Sequence, residues 1–213
     1  VADHDRTDWV DWHEAYRDPA SALSRRLAIV QELIRETLDR TAGDIGVISV
    51  CAGTGKDLVG VLATRDDRDR VHALLVEGDP RLAERAEAAA RSAGCEHVRA
   101  IAADAALTDA YADVAPADLV LVCGVFGNIG DEDLERTIRA LPQLCREGGS
   151  VIWTRHRRHP DATRSVRRWF AESGFEELAF ASPGPGAFAV GMHALAGPGE
   201  ALVPGVRLFT FLR

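Results

Sequence analysis

The stretch SVCAGTGKDL, residues 49–58, places Gly53 and Gly55 just after the apolar run GVISV and then opens into a helical segment from about Lys56 to Thr64. Glycine tolerates positive φ and lets a backbone come close to a ligand, and the helix that follows offers unpaired N–H groups in its first turn. Working outward, the same order of elements returns. VHALLVE is a strand that stops at Glu77; Asp79-Pro80 then sets a cap and a first-turn proline ahead of RLAERAEAAARSA, which closes at Gly94. VRAIAA is a third strand ending near Asp104, and ADLVLVCG is a fourth. GSVIWTR is a fifth, reached through a helix over residues 131–146, which Pro142 kinks near its end, and the turn REGG. Asp161 caps a further helix, TRSVRRWFAES, after which FEELAFA and RLFTFLR supply two late strands. Ahead of the turn, Asp18-Pro19 reads as another cap and proline, followed by Leu23, Leu27, Val30, Ile34 and Leu38 at helical spacing. Continuous apolar strands alternating with helices predict an α/β fold with a mainly parallel sheet covered on both faces.

Composition narrows the partners. The chain has 213 residues, 46% of them hydrophobic, which suits one buried core and a single domain over residues 1–213. Its net charge of −8 gives no pull toward nucleic acid or an anionic membrane, so a small-molecule partner is expected. Cys51, Cys95, Cys123 and Cys145 form no CxxC pair and share no histidine spacing. That pattern predicts no disulfide, no metal and a reducing cytoplasm. With no signal peptide and no apolar run near the roughly 20 residues a bilayer span needs, a soluble protein is expected. Oligomeric state leaves no trace in the sequence.

In parallel sheets ligands bind beyond the carboxyl ends of the strands, where the strand order reverses. Glu77 at the end of the second strand can accept both hydroxyl protons of a ribose, and Asp104 ends the third, so the turn reads as part of a nucleoside pocket. A dinucleotide turn would carry a third glycine where Leu58 stands, which speaks against a nucleotide-dependent oxidoreductase. From about Gly46 to Gly149 the ordered series SVCAGTG, VEGDP, AADA, ADLVLVCGVFGNI and REGGSVIW resembles the class I S-adenosylmethionine-dependent methyltransferases. The resemblance implies a Rossmann-like three-layer sandwich with a seven-stranded sheet, its last strand antiparallel, in a core over residues 42–213 under an N-terminal helical lid over 1–41. It also implies S-adenosylmethionine as cofactor. Carried over residue by residue, Cys51, Ala52, Gly53, Thr54 and Gly55 would follow the methionine and ribose parts, and Glu77 with Gly78 would take the ribose. Asp104 with Ala105 would meet the adenine, and Cys123 with Gly124 would approach the amino acid end. The chain departs from the family at Ser49, where an acidic residue is usual, and at Cys51, where glycine is usual.

The acceptor side is less legible, because methyl transfer can draw its acceleration from positioning and needs no dedicated base. His13 and Tyr16 stand where relatives place a lid, as base and orienting hydroxyl; alternatively Trp9, Trp12 and Tyr16 only pack that lid down. Asn128, beyond the fourth strand, either holds a polar acceptor or serves the turn between Gly127 and Gly130. The stretch RHRRHPD, 155–161, with His156 as a candidate catalytic group, either binds an acidic acceptor or forms a salt-bridged loop. In the glycine- and proline-rich segment 182–199, Met192 and His193 either cover the acceptor cavity or belong to an extra edge element. Two function classes follow: methyl transfer to a small molecule, and binding of the cofactor without transfer.

Overall fold

The computed structural model describes residues 18, 21–183 and 188–212. In order, these are α1 (Ala22–Arg40), β1 (Ile45–Val50), α2 (Leu58–Leu62), β2 (Val71–Glu77), α3 (Pro80–Ser92), β3 (Val98–Ala102) and β4 (Ala117–Val122). They continue as α4 (Asp131–Ala140), β5 (Cys145–His156), α5 (Thr163–Glu172), β6 (Phe175–Ala181) and β7 (Phe188–Leu195). The seven-stranded sheet has the order β3-β2-β1-β4-β5-β7-β6. β1 to β5 are parallel, and β7 runs antiparallel to both β5 and β6.

Alternation along the strands builds the three layers. Ile48, Val50, Val120, Val122, Val151 and Trp153 face one side, where they meet Leu134 and Ile138 of α4 and Val166 and Phe170 of α5. Their neighbours Val47, Leu119, Leu121 and Ile152 face the other side and meet Ile34 and Leu38 of α1, Leu58 and Leu62 of α2, and Ala86 and Ala90 of α3. The expected three-layer arrangement with a mainly parallel sheet is therefore present. Among the described residues no helix is long and apolar enough to cross a membrane.

Four expectations need correction. Helix α1 starts after Ser21, not at Asp18: the Ser21 hydroxyl accepts the Ser24 N–H at 3.0 Å, while Asp18 contributes its backbone carbonyl to the turn before it. The grouping of residues 1–41 as a lid divides. Residues 22–40 form part of the sandwich, with Ile34 and Leu38 fully buried, and most of the remaining lid, with His13 and Tyr16, lies outside the described residues. The helix drawn over residues 131–146 ends at Ala140 and gives way to a 3-10 turn, Leu141–Gln143. Proline at 142 has no N–H to continue the ladder. Finally, the seventh strand is Phe188–Leu195, inside the segment read as an insertion, whereas the stretch from Arg207 makes only isolated bridges. An interior strand must bury both faces, and the apolar run FAVGMHAL does so where RLFTFLR, with its exposed Phe211 and Leu212, does not.

Candidate functional site

β1 has β2 on one side and β4 on the other, so strand order reverses beside it and the turn after Val50 leaves the sheet at the switch point. Cys51, Gly53 and Gly55 all have positive φ, at 54°, 57° and 69°. At Gly55 the requirement is double, because a Cβ there would come within 2.8 Å of the Leu75 side chain. At Cys51 the left-handed backbone is one that a side chain adopts only at a cost. The turn is tied down at three points. Ala52 N–H donates to the Val76 carbonyl at 3.0 Å, Gly53 N–H donates to Glu77 Oε2 at 2.7 Å, and Gln31 Nε2 of α1 donates to the Lys56 carbonyl at 2.9 Å.

Glu77 is thus more than a strand terminus. Its second oxygen, Oε1, accepts the Asp79 N–H at 3.0 Å, so one carboxylate joins the glycine turn to the start of α3. Asp79 caps α3 through the Arg81 N–H, as the sequence implied. The hydrogen bond from the Arg81 side chain holds its carboxyl down at about 2. Gly78 lies between these two acids on the same rim.

Asp104 fills the role of a turn cap: its Oδ1 accepts the Ala106 N–H at 3.0 Å, and its Oδ2 pairs with Arg207 at 2.8 Å. Burial pushes this carboxyl up, but those two partners outweigh it and hold it below the usual carboxylate range. Ala105 turns its side chain into the core, and its carbonyl accepts the Tyr111 hydroxyl at 2.6 Å. Cys51 packs against the same core layer, whereas Ala52 and Cys123 pack against the opposite one. Burial raises both the Cys51 and the Cys123 thiols, reinforced at Cys51 by the Glu77 and Asp104 carboxylates, so both stay neutral at physiological pH. The Thr54 hydroxyl is buried in the turn with no hydrogen-bond partner among the described residues.

At the ends of β4 and β5 the polar groups serve the backbone. Gly124 N–H donates to the buried Thr154 hydroxyl at 2.9 Å, and Asn128 Nδ2 donates to the Gly124 carbonyl at 2.6 Å. His156 accepts the Arg158 N–H at Nδ1, 3.2 Å, which leaves Nε2 as the donor to the Gly127 carbonyl at 3.1 Å. Burial, with the Arg155 charge, lowers its pKa. Arg155 is 6% exposed, donates to the Phe126 carbonyl and lies 3.6 Å from Asp131. Arg157 pairs with Asp161 at 2.8 Å, and Asp161 in turn accepts the Thr163 N–H at the start of α5. The salt-bridged reading of residues 155–161 therefore describes Arg155, Arg157 and Asp161. Met192 and His193, each 1% exposed, sit inside the sheet on β7.

Sequence reasoning missed Gln31, Tyr111, Thr154 and Arg207, which hold the turns rather than form them. Gln31, a polar residue on an otherwise apolar helix face, was the one visible signal.

A sheet with this order, a glycine turn at the switch point and a carboxylate ending β2 define the nucleoside-binding α/β class to which class I methyltransferases belong. A model of the family described as "Putative methyltransferase" matches residues 20–169, and the chain belongs to that methyltransferase family. No curated protein matches the chain by sequence. Among solved structures, the CurJ carbon methyltransferase shares the fold with a TM-score of 0.70 at 12% identity, over 90% of this chain and 60% of that one. An O-methyltransferase family protein from Burkholderia thailandensis gives 0.67 at 15% identity, over 90% and 60%. Magnesium protoporphyrin IX methyltransferase from Synechocystis PCC 6803, solved with bound SAM, gives 0.67 at 13% identity, over 88% and 91%. The chain spans 60% of the length of the first two.

Proposed function

We propose that the protein transfers the methyl group of S-adenosylmethionine to a small-molecule acceptor. The observation that carries this reading is the turn 51–55: three positive-φ residues at the switch point, with the Glu77 carboxylate bonded to its Gly53 N–H. The Thr54 hydroxyl, without a partner among the described residues, supports the fit, since a buried polar atom left unpaired is costly and a ligand can supply the partner. In this reading Gly53, Thr54 and Gly55 lie along the methionine and ribose parts. Glu77, beside Gly78, accepts from the ribose hydroxyls with the lone pairs its two backbone donors leave over. Asp104 accepts from the adenine, and Cys51, Ala52, Ala105, Cys123 and Gly124 shape the walls.

S-adenosylmethionine supplies an electrophilic methyl group on a sulfonium. The chain's task is then to hold the acceptor in line with it and to exclude water. The neutral Cys51 and Cys123 thiols suit that task, since neither competes as a thiolate for the methyl group. The net charge of −8 supports a small acceptor over nucleic acid, and the cysteine pattern supports a cytoplasmic setting.

One observation favours a second reading, cofactor binding without transfer: both ring nitrogens of His156 are engaged by backbone partners, which leaves it no ready base, and the Asn128 amide nitrogen already donates to the Gly124 carbonyl. Incubation with labelled S-adenosylmethionine and a panel of oxygen, nitrogen, sulfur and carbon nucleophiles separates the two. Accumulation of S-adenosylhomocysteine with one acceptor supports transfer; binding of the cofactor with no product for any acceptor supports the second reading.

A further inference from the structure

At the end of the sheet opposite to Glu77 and Asp104, two histidines meet. His72 lies near the start of β2 and continues the row of Leu74 and Val76 toward the amino end of the strand. β2 and β3 run parallel with Ala73 opposite Val98, and the Ala73 N–H donates to the His97 carbonyl at 3.0 Å, so His97 stands beside His72 one step ahead of that pair. Neighbours in register on strands about 4.8 Å apart carry their side chains on one face. The two imidazoles stack there, with ring centroids 4.6 Å apart and planes 27° from parallel. Both residues are exposed, and among the described residues neither ring makes a hydrogen bond.

We propose that His72 and His97 form a two-imidazole site for a divalent transition-metal ion of the copper, nickel or zinc kind, which clips the edge strand β3 to β2 at their amino ends. Three facts carry it. Imidazole nitrogen suits such ions, whereas magnesium and calcium take oxygen ligands. Nitrogens bound at about 2.0–2.1 Å to one ion lie about 3 Å apart, a separation that rings stacked at 4.6 Å reach by small turns about their side-chain bonds. The exposure of both rings leaves them room for those turns and an ion room to approach, and neither has a hydrogen bond among the described residues to give up. His193 and His156, by contrast, are spent on Trp153 and on backbone groups. Among the described residues no third His, Cys, Asp or Glu joins the pair, so water fills the remaining positions of the ion. The cysteine pattern, from which no metal is expected, has no part in this site. It lies apart from the turn 51–55 and does not depend on the cofactor reading.

The test is calorimetric titration of NiCl2, ZnCl2 and CuCl2 into the full chain without a histidine tag, with MgCl2 as control. Wild type is expected to bind the first three, copper most tightly, and not magnesium. His72→Ala and His97→Ala should each weaken nickel binding by more than the roughly 10-fold that loss of even an outer partner of a metal site costs. His72→Gln and His97→Gln take their place if an Ala variant melts early. His159→Ala, which removes an exposed histidine outside the pair, should leave nickel binding unchanged. Nickel should also raise the melting temperature of wild type, an effect that EDTA reverses and that the double variant lacks, because an ion bound to both strands stabilises the folded chain. Full nickel affinity in either folded single variant, its loss in His159→Ala, or no binding of nickel, zinc or copper by wild type overturns the proposal.

Discussion

The two flanks of the sheet spend their polar groups differently. On the β1–β3 flank, Glu77 accepts the Gly53 and Asp79 N–H groups, one on each carboxylate oxygen, and Asp104 accepts the Ala106 N–H and the Arg207 guanidinium, one on each oxygen. On the β5–β7 flank the polar groups turn inward. Trp153 Nε1 donates to His193 Nδ1 at 3.1 Å, and His193 stacks on Phe170 with ring centroids 4.3 Å apart. The other ring nitrogen lies 3.6 Å from Glu177, which is itself held by two bonds from Arg167. The difference teaches where to expect ligand chemistry: one flank carries two carboxylates bonded to turn backbone, and the other buries a neutral Trp–His pair as scaffold. Substitutions on the first should move binding more than stability, and on the second the reverse.

The largest expected effect is on the scaffold flank. Burial lowers the pKa of His193 to about 4, against an ordinary value of 6.5. The unfolded chain therefore binds a proton that the folded chain refuses. The stability this residue confers is complete above about pH 6.5 and is lost as pH falls toward 4, a change of about 3 kcal/mol. Urea unfolding of wild type and His193→Gln across pH 4–7 checks it: the difference between them should widen with pH, and a constant difference would contradict the assignment.

Next comes Glu77→Ala, which should weaken S-adenosylhomocysteine binding by about 10-fold or more, or about 1.4 kcal/mol per decade. Because Glu77 also accepts the Gly53 and Asp79 N–H groups, some loss of melting temperature should accompany it. Glu77→Gln should keep part of the affinity. Asp79→Ala, two residues away, removes the α3 cap and should lower stability by about 1 kcal/mol with little change in binding. If Asp79→Ala abolishes binding while Glu77→Ala spares it, the roles of rim and scaffold are reversed. The smallest effect is a gain: Cys51→Gly relieves a left-handed side chain and should stabilise the protein by about 0.5–1 kcal/mol. Thermal melts read it, and a lower melting temperature would mean that Cys51 packing outweighs the backbone strain.

The parts of the fold legible in the sequence were those written in local code. Strands β2 and β6 match VHALLVE and FEELAFA because each is bounded by its own cap or glycine signals, and Asp79-Pro80 starts α3 where the cap chemistry says. What failed depends on distant partners. FAVGMHAL looks like a strand only once β5 and β6 stand on either side of it, and its glycine- and proline-rich flanks hid it. In the candidate site, the glycine turn and Glu77 were legible because φ and strand ends are local. Arg207 was not, since its partner Asp104 lies 103 residues earlier in the chain. Asn128 and His156 looked like chemistry because their backbone partners are visible only in the folded turns.

The most direct test of the central claim is a structure of the full chain with S-adenosylhomocysteine, preceded by a calorimetric titration. The account expects saturable binding, the ligand lying along residues 53–55, and a ribose hydroxyl within hydrogen-bond distance of Glu77. Folded protein that binds neither S-adenosylmethionine nor S-adenosylhomocysteine, or a ligand seated away from that turn, would contradict it.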